Sequence, residues 1–389
     1  MITVGLAGKP NAGKSTFFKA ATMADAEVGN YPFTTIDANR GVAAVRTECP
    51  CDELEGLDGY CGNCRKGRRY VPVELIDVAG LVPDAHEGRG LGNQFLDELR
   101  RADVILHVVD ASGGTDEEGE PVEVGEHDPR EDVEFLEHEL EMWIAGVLSD
   151  NLNGLVRQSK TPDFDLEESL AEVLTGVGAS EADVRRALRE VELPPVGDWD
   201  EEQTVALARE IRRLSKPVLV VANKVDVAPE EYVDALVEDG AVPASAESEL
   251  ALRRADEAGV VDYAPGDDTF EITGDVSDEQ RAGLERIREV VEEYGGTGVQ
   301  EGLDSAVYDF LNYFTAYPVE NETRWTDGSG NVLPDAFLLR EASTPRDLAY
   351  TIHSDIGDDY HHAVDGRKKQ RISDDTELEE GDVIKIVTA

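Results

Sequence analysis

Positive charge is scarce in this 389-residue chain: 36 lysines and arginines stand against 84 aspartates and glutamates, a formal net charge of −48. A surface this acidic repels nucleic acid as a whole, so any basic cluster that survives in it carries more information than usual. Long apolar runs are missing too. No window approaches the ~18 uninterrupted apolar residues of a membrane span. Met1 to Ala7 leads straight into a glycine-rich motif, with no basic segment, apolar stretch and cleavage site of an export leader. Cysteine is confined to Cys49, Cys51, Cys61 and Cys64, all in one short stretch. That placement argues against a disulfide framework spread over a secreted fold and for the reducing cytoplasm.

The acids are dispersed instead of forming a tail, and arginine greatly outnumbers lysine. Self-repulsion on this scale is tolerable where molar salt cuts the Debye length to ~3 Å. The expectation is a protein from a salt-accumulating halophile. With 40% hydrophobic residues and only 17 prolines the composition is that of a folded chain, and at ~150 residues per domain the length suggests two to three domains.

What is present begins at the N-terminus. Ile2-Thr3-Val4-Gly5-Leu6-Ala7 reads as a buried strand, and Gly8-Lys9-Pro10-Asn11-Ala12-Gly13-Lys14-Ser15 follows as G-x-x-x-x-G-K-[ST], with Thr16 onward starting a helix. In such a loop the glycines let backbone N–H groups face the β-phosphate, Lys14 bridges the β- and γ-phosphates, and the Ser15 hydroxyl completes a Mg²⁺ shell. Val73 to Asp77 is a second strand; Asp77 can hold Mg²⁺ through water and the Gly80 N–H can sense the γ-phosphate. Pro217 to Ala222 delivers Asn223-Lys224-Val225-Asp226. A carboxylate at Asp226 accepts two hydrogen bonds from the guanine N1–H and N2–H₂ edge, a pattern adenine lacks, while the Lys224 stem lies along the base. Ser245-Ala246 falls where a backbone N–H would meet guanine O6.

These segments, with Asn30-Tyr31-Pro32-Phe33-Thr34-Thr35-Ile36-Asp37 and Asp77-Val78-Ala79-Gly80-Leu81-Val82 followed by Gly88-Arg89-Gly90-Leu91-Gly92-Asn93, resemble the Obg-related GTPases and, within them, the YchF-type (Obg-like ATPase) branch. The resemblance implies an α/β P-loop G domain, a mostly parallel sheet flanked by helices and interrupted by a helical insertion, followed by a small β-grasp domain. It also implies Thr35 as the switch I ligand of Mg²⁺. YchF-type members usually carry a glutamate-ended base motif and prefer ATP, whereas Asp226 is the guanine-specific form. Leu81 stands where Ras-like enzymes use glutamine to orient the attacking water, so intrinsic hydrolysis should be slow. Asn11 resembles the P-loop asparagine that lets related GTPases bind K⁺ beside the phosphates; the plainer reading is that it tightens the loop. His107, on the strand Val104 to Asp110, resembles a family histidine placed near the γ-phosphate, although a lone histidine among apolar residues is more often packed in a core.

The hairpin expected between switch I and Asp77 carries Cys49-Pro50-Cys51 and Cys61-Gly62-Asn63-Cys64. Paired cysteines on two arms suit a tetrahedral Zn²⁺; non-ligating or redox cysteines are the other reading. Arg65, Lys66, Arg68 and Arg69 follow. From about residue 128 apolar residues recur at three- and four-residue steps, as in Phe135, Leu136, Leu140, Trp143, Ile144, Val147 and Leu148, an α-helical insertion flanked by G-domain strands. The C-terminal segment reads as a strand at Phe337–Leu339, a helix starting at Thr344-Pro345 and a closing strand at Val383–Val387. Leu348-Ala349, Ile352 to Asp355 and Gly381 to Ile386 resemble the TGS domain, a β-grasp module associated with RNA or ribosome contact. Arg367, Lys368, Lys369 and Arg371 form its basic patch. The expected division is 1–127 for the first part of the G domain with the cysteine hairpin at 46–70, 128–215 for the insertion, 216–315 for the rest of the G domain and 316–389 for the TGS module.

The leading expectation is a GTP-hydrolysing switch with GTP and GDP as ligands, Mg²⁺ as cofactor, K⁺ and Zn²⁺ as candidate ions, no membrane contact, and a ribosomal or structured-RNA partner. The alternatives are an ATPase with YchF-like specificity and a nucleotide-gated RNA-binding scaffold. No feature of the sequence sets an oligomeric state.

Overall fold

The computed structural model describes residues 1–22, 39–54, 56–57, 61–78 and 98–389. Internal contacts divide the chain into two compact units, one built around Glu74–Ala306 with the N-terminus, the other joining Ala44–Val73 to Val307–Ala389.

In the first unit, β1 (Thr3–Ala7), β3 (Arg68–Asp77), β4 (Val104–Asp110), β5 (Val218–Asn223) and β6 (Val242–Ala244) are parallel neighbours, and β2 (Arg40–Glu48) closes the edge, giving the order β2-β3-β1-β4-β5-β6. Every residue of β1 and β4 is buried, which is why both read as near-continuous apolar runs: helices cover both faces of a parallel sheet. β2 and β3 continue from this unit into the second, and β7 (Val261–Asp262) and β8 (Glu271–Ile272) form a short antiparallel pair.

Four helices lie between β4 and β5: Pro129–Gln158, Leu166–Leu174, Glu181–Glu190 and Glu201–Ser215. Their starts follow from local chemistry. Asp128 caps the first helix, with Pro129 in its opening turn, and Ser180 with Asp183 and Asp200 with Gln203 form reciprocal capping boxes on the last two. The long helix serves two cores. Leu136 and Leu140 pack on the sheet with Ile76, Leu99 and Ile105, whereas Ile144 and Leu148 pack with Leu170, Leu174, Val184, Leu207 and Ile211. Each fully buried aliphatic side chain there contributes ~1.5–3 kcal/mol. Trp143 is partly buried against both clusters.

The second unit holds a mixed five-stranded sheet of β9 (Tyr313–Val319), β10 (Phe337–Arg340), β11 (Tyr360–Asp365), β12 (Gln370–Ile372) and β13 (Val383–Thr388) in the order β10-β9-β13-β11-β12. β9 and β13 are parallel and the other pairs antiparallel. The helix Pro345–Ile352 buries Leu348 and Ala349 on the core formed by Ala316, Leu339, Ala363 and Ile384. This is a β-grasp.

Two sequence boundaries differ from the structure. The β-grasp unit begins at Val307, not 316, because β9 starts at Tyr313 and is one of its inner strands. The cysteine hairpin, assigned to the first part of the G domain, groups with this C-terminal unit. Specific bonds account for that. Arg367 forks onto Glu53 with two 2.6 Å bonds, Asn63 Nδ2 donates to Val332 O at 2.9 Å, Arg69 donates to Pro334 O at 2.9 Å, and the Tyr317 hydroxyl donates to Glu48 O at 3.1 Å.

Candidate nucleotide-binding site and cysteine cluster

The P-loop joins the buried end of β1 to the helix Lys14–Thr22. Its backbone demands glycine at two points. Gly8 has φ +142° and a Cβ there would sit 2.3 Å from Val108 O; Gly13 has φ +102° and its Cβ would sit 2.2 Å from Asn223 Nδ2. Asn11 takes φ 59°, which asparagine tolerates better than most residues. Inside the loop, Lys14 Nζ donates to Gly8 O and Lys9 O, each at 2.8 Å. Burial lowers the Lys14 pKa to about 8, with Asp77 pulling it the other way. Ala12 is buried under the loop, and Thr16 is half-buried in the first helical turn.

Ser15 Oγ donates to Asp77 Oδ2 at 3.1 Å. The two proposed Mg²⁺-binding side chains are therefore adjacent, and their hydroxyl and carboxylate oxygens are the hard donors that ion takes. Burial raises the Asp77 pKa, partly offset by the Ser15 hydrogen bond and Lys14. Thr35, expected as a further Mg²⁺ ligand, and Gly80, expected to sense the γ-phosphate, lie outside the described residues, as does Leu81.

The residues expected to meet the base are tied together by Asn223. Its Nδ2 donates to Ala12 O and its Oδ1 accepts from the Ala246 N–H, both at 3.0 Å, so one amide ties the P-loop to the Ser245-Ala246 loop. This revises the reading of that loop. The Ala246 N–H is engaged by Asn223 and the Ser245 N–H by Thr297 O at 2.9 Å, so neither is a free donor for guanine O6. The Ser245 hydroxyl donates to Asp226 Oδ1 at 2.7 Å, orienting an exposed carboxylate.

Lys224 has φ 68° and its Nζ pairs with Asp110 Oδ2 at 2.8 Å. Asp110 is fully buried; burial pushes its pKa up, but hydrogen bonds from Lys224, Ser112 and Thr115 outweigh that and hold it below the usual value. This carboxylate was missed in the sequence, where it is only the end of a strand. So was the brace behind the P-loop. Lys9 Nζ donates to Thr115 O and pairs with Asp132, each at 2.8 Å, and Asn11 Nδ2 donates to Gly119 O at 3.0 Å.

His107 is 2% exposed, and its pKa falls to about 3, first through burial and then through Lys14 and Lys9. Its Nδ1 has no hydrogen-bond partner among the described residues, and a Cβ on Gly8 would lie 3.6 Å from its Cδ2. The ring is therefore neutral and packed under the loop.

In the second unit the four cysteine sulfurs lie within 4.8 Å of one another. Cys49 and Cys61 are 3.7 Å apart, as are Cys51 and Cys64. The Cys61 pKa falls to about 5, chiefly through its hydrogen bond with Cys49, whose own pKa rises through the same contact and burial. The basic patch is partly neutralised. Arg367 is held by Glu53 and stacks 5.7 Å above the Trp325 ring, and Lys368 pairs with Asp365 at 3.1 Å; Lys369 and Arg371 are exposed.

Three family models match the chain: the 50S ribosome-binding GTPase over residues 3–141, the G4 motif-containing domain of YGR210-like Obg-like GTPases over 221–321 and the TGS domain over 329–388. An uncharacterized GTP-binding protein of Methanocaldococcus jannaschii is 46% identical across 100% of both chains. The ribosome-binding ATPase YchF of Bacillus subtilis is 32% identical, covering 86% of this chain and 83% of its own. Among solved structures, a GTP-binding protein from Pyrococcus horikoshii is 38% identical with a TM-score of 0.78 over 100% of both chains. The Schizosaccharomyces pombe YchF GTPase, at 20% identity and a TM-score of 0.58 over 99% of this chain and 97% of its own, shares the fold.

Proposed function

The chain belongs to the YchF/Obg-like family of P-loop GTPases and is a nucleoside-triphosphate hydrolase, and from that premise we propose that it is a GTP-selective switch acting on the ribosome or on structured RNA. The observation that carries the base preference is Asp226. Ser245 holds one of its oxygens at 2.7 Å, which presents the carboxylate edge to the two N–H donors that guanine has and adenine lacks. The backbone at Gly8, Ala12, Gly13 and Thr16 cradles the phosphates, Lys14 supplies their counter-charge, and Asn223 links that cradle to the base loop. Ser15 and Asp77, with Thr35 as a further ligand, would hold Mg²⁺, which would neutralise charge at the β- and γ-phosphates. The Gly80 amide senses the γ-phosphate. Asn11, whose side-chain nitrogen is anchored on Gly119, would offer its side-chain oxygen to K⁺. The four cysteines would hold Zn²⁺ as a structural ion outside this cycle.

Ribosome or RNA docking draws support from the B. subtilis relative, a ribosome-binding protein by name, and from the exposed Lys369 and Arg371. The second reading, an ATPase, is favoured by that same relative's name. Competition between GTP and ATP at high KCl separates the two: a clear GTP preference in the wild type, lost in Asp226→Asn, is expected. Equal wild-type affinities would overturn the guanine assignment.

A further inference from the structure

Four sulfurs from two arms of one hairpin converge in the second unit, and nothing in the nucleotide chemistry requires them. Two are buried: Cys49 is 3% and Cys51 1% exposed. Disulfide bonding does not explain the arrangement. A disulfide brings sulfurs to ~2.05 Å, and both pairs stand at 3.7 Å. Tetrahedral coordination does explain it. Ligands ~2.3 Å from a common centre at tetrahedral angles lie ~3.8 Å apart, and the remaining sulfur separations stay within 4.8 Å.

The surroundings supply what thiolates need. The Cys51 N–H donates to the Cys49 sulfur, the Asn63 N–H to Cys61 and the Gly67 N–H to Cys64, so three of the four sulfurs accept a backbone hydrogen bond of the kind that stabilises negative charge. Arg69, 6% exposed, brings its guanidinium onto the same turn. Gly62 and Gly67 both have φ 82°, and the tight turns they make bring the second pair of cysteines round to face the first.

We propose that Cys49, Cys51, Cys61 and Cys64 bind one Zn²⁺, and that the ion fastens the hairpin to the β-grasp domain. The second half follows from what the ligand-bearing segments touch. The 61–64 turn donates through Asn63 Nδ2 to Val332 O at 2.9 Å. Arg69 clasps the same turn and the domain together, donating to Asn63 O and to Pro334 O, each at 2.9 Å. On the other arm, the short helical turn Pro50–Glu53 that carries Cys51 presents Glu53 to Arg367. Both arms thus touch the domain through residues one or two positions from a ligand, or facing it. Cross-linking the arms through the metal holds both contacts in register; without it each arm relaxes separately.

Elemental analysis of the full chain, purified without chelator, is the first test, and about one zinc per chain is expected. Cobalt substitution should give the visible spectrum of a tetrahedral thiolate site. Hydrogen exchange before and after chelation tests the fastening: amides in 46–70 and also at Val332, Leu333 and 366–368 should exchange at least tenfold faster once the metal is removed, and recover when zinc is returned. Cys61→Ser/Cys64→Ser should lose the zinc; should that variant fail to fold, the wild-type stoichiometry and exchange data still decide. Metal-free protein that takes up no zinc overturns the site, iron in place of zinc overturns the identity of the ion, and faster exchange confined to 46–70 overturns the fastening.

Discussion

Mg-GTP affinity should fall steadily once the pH climbs past about 8, because the P-loop lysine starts from a lowered pKa. Lys14 is 8% exposed, its Nζ donates to two loop carbonyls at 2.8 Å, and burial brings its pKa to about 8. An incoming polyphosphate favours the ammonium form, so the pKa in the complex lies above that of the free protein. Binding therefore takes up a proton in the window above about 8. Affinity is complete below that pH and is lost as the pH rises through it. One unit higher, roughly one free molecule in ten carries the charged lysine, so the association constant drops about tenfold, about 1.4 kcal/mol. The assay is an equilibrium titration with a fluorescent guanine nucleotide from about pH 7 to about 9, a range that leaves the phosphates ionised throughout. Calorimetry in two buffers of different ionisation enthalpy should show the proton uptake directly. A dissociation constant that stays level across this range refutes the reasoning.

Three further outcomes follow from named contacts. Gly8→Ala forces a Cβ to within 2.3 Å of Val108 O at φ +142° and should cost roughly 1–3 kcal/mol of stability, with nucleotide binding lost; an unchanged thermal midpoint would contradict it. Asp110→Asn removes the charge that holds Lys224. Because Lys224 is 30% exposed, the expected loss is about 1–2 kcal/mol, below that of a fully buried pair, with a weakened GTP affinity measurable by the same titration. Lys369→Gln/Arg371→Gln should reduce ribosome co-sedimentation and flatten its salt dependence while GTP hydrolysis stays at the wild-type rate. Wild-type sedimentation would leave these residues as a solvated hairpin arm.

The P-loop was legible in the sequence because its geometry excludes most residue types: Gly8 and Gly13 sit where any Cβ collides, so the motif records the constraint. Asn223 is also visible as part of a motif, but its clamp is not. Its partners are backbone atoms of Ala12 and Ala246, and any residue supplies a backbone atom. Asp110 was hidden because a strand-end aspartate has no signature until Lys224 is brought beside it. β9 was missed for a different reason. Pro318 argues against an inner strand, yet β10 pairs with β9 only as far as Ala316, so the proline falls where that side of β9 is open. The docking of the hairpin was illegible because Glu53 and Arg367 are 314 positions apart, and periodicity reports only on neighbours.

Joining Ala44–Val73 to Val307–Ala389 in one compact unit has a consequence for how the chain matures. The hairpin leaves the ribosome early and must wait for more than half the protein to be made before Arg367, Val332 and Pro334 exist to receive it. Closing so long a loop is slow and carries an entropic cost. During that interval the thiols are unshielded by their final neighbours and open to oxidation. A fragment cut at the β-grasp boundary would likewise lack the hairpin part of its own module. Recombinant versions of this C-terminal region should include the hairpin, joined through a linker if necessary, or they will present Arg367 with only Asp382 beside it in place of the Glu53 fork and the Val332 and Pro334 carbonyls without their donors.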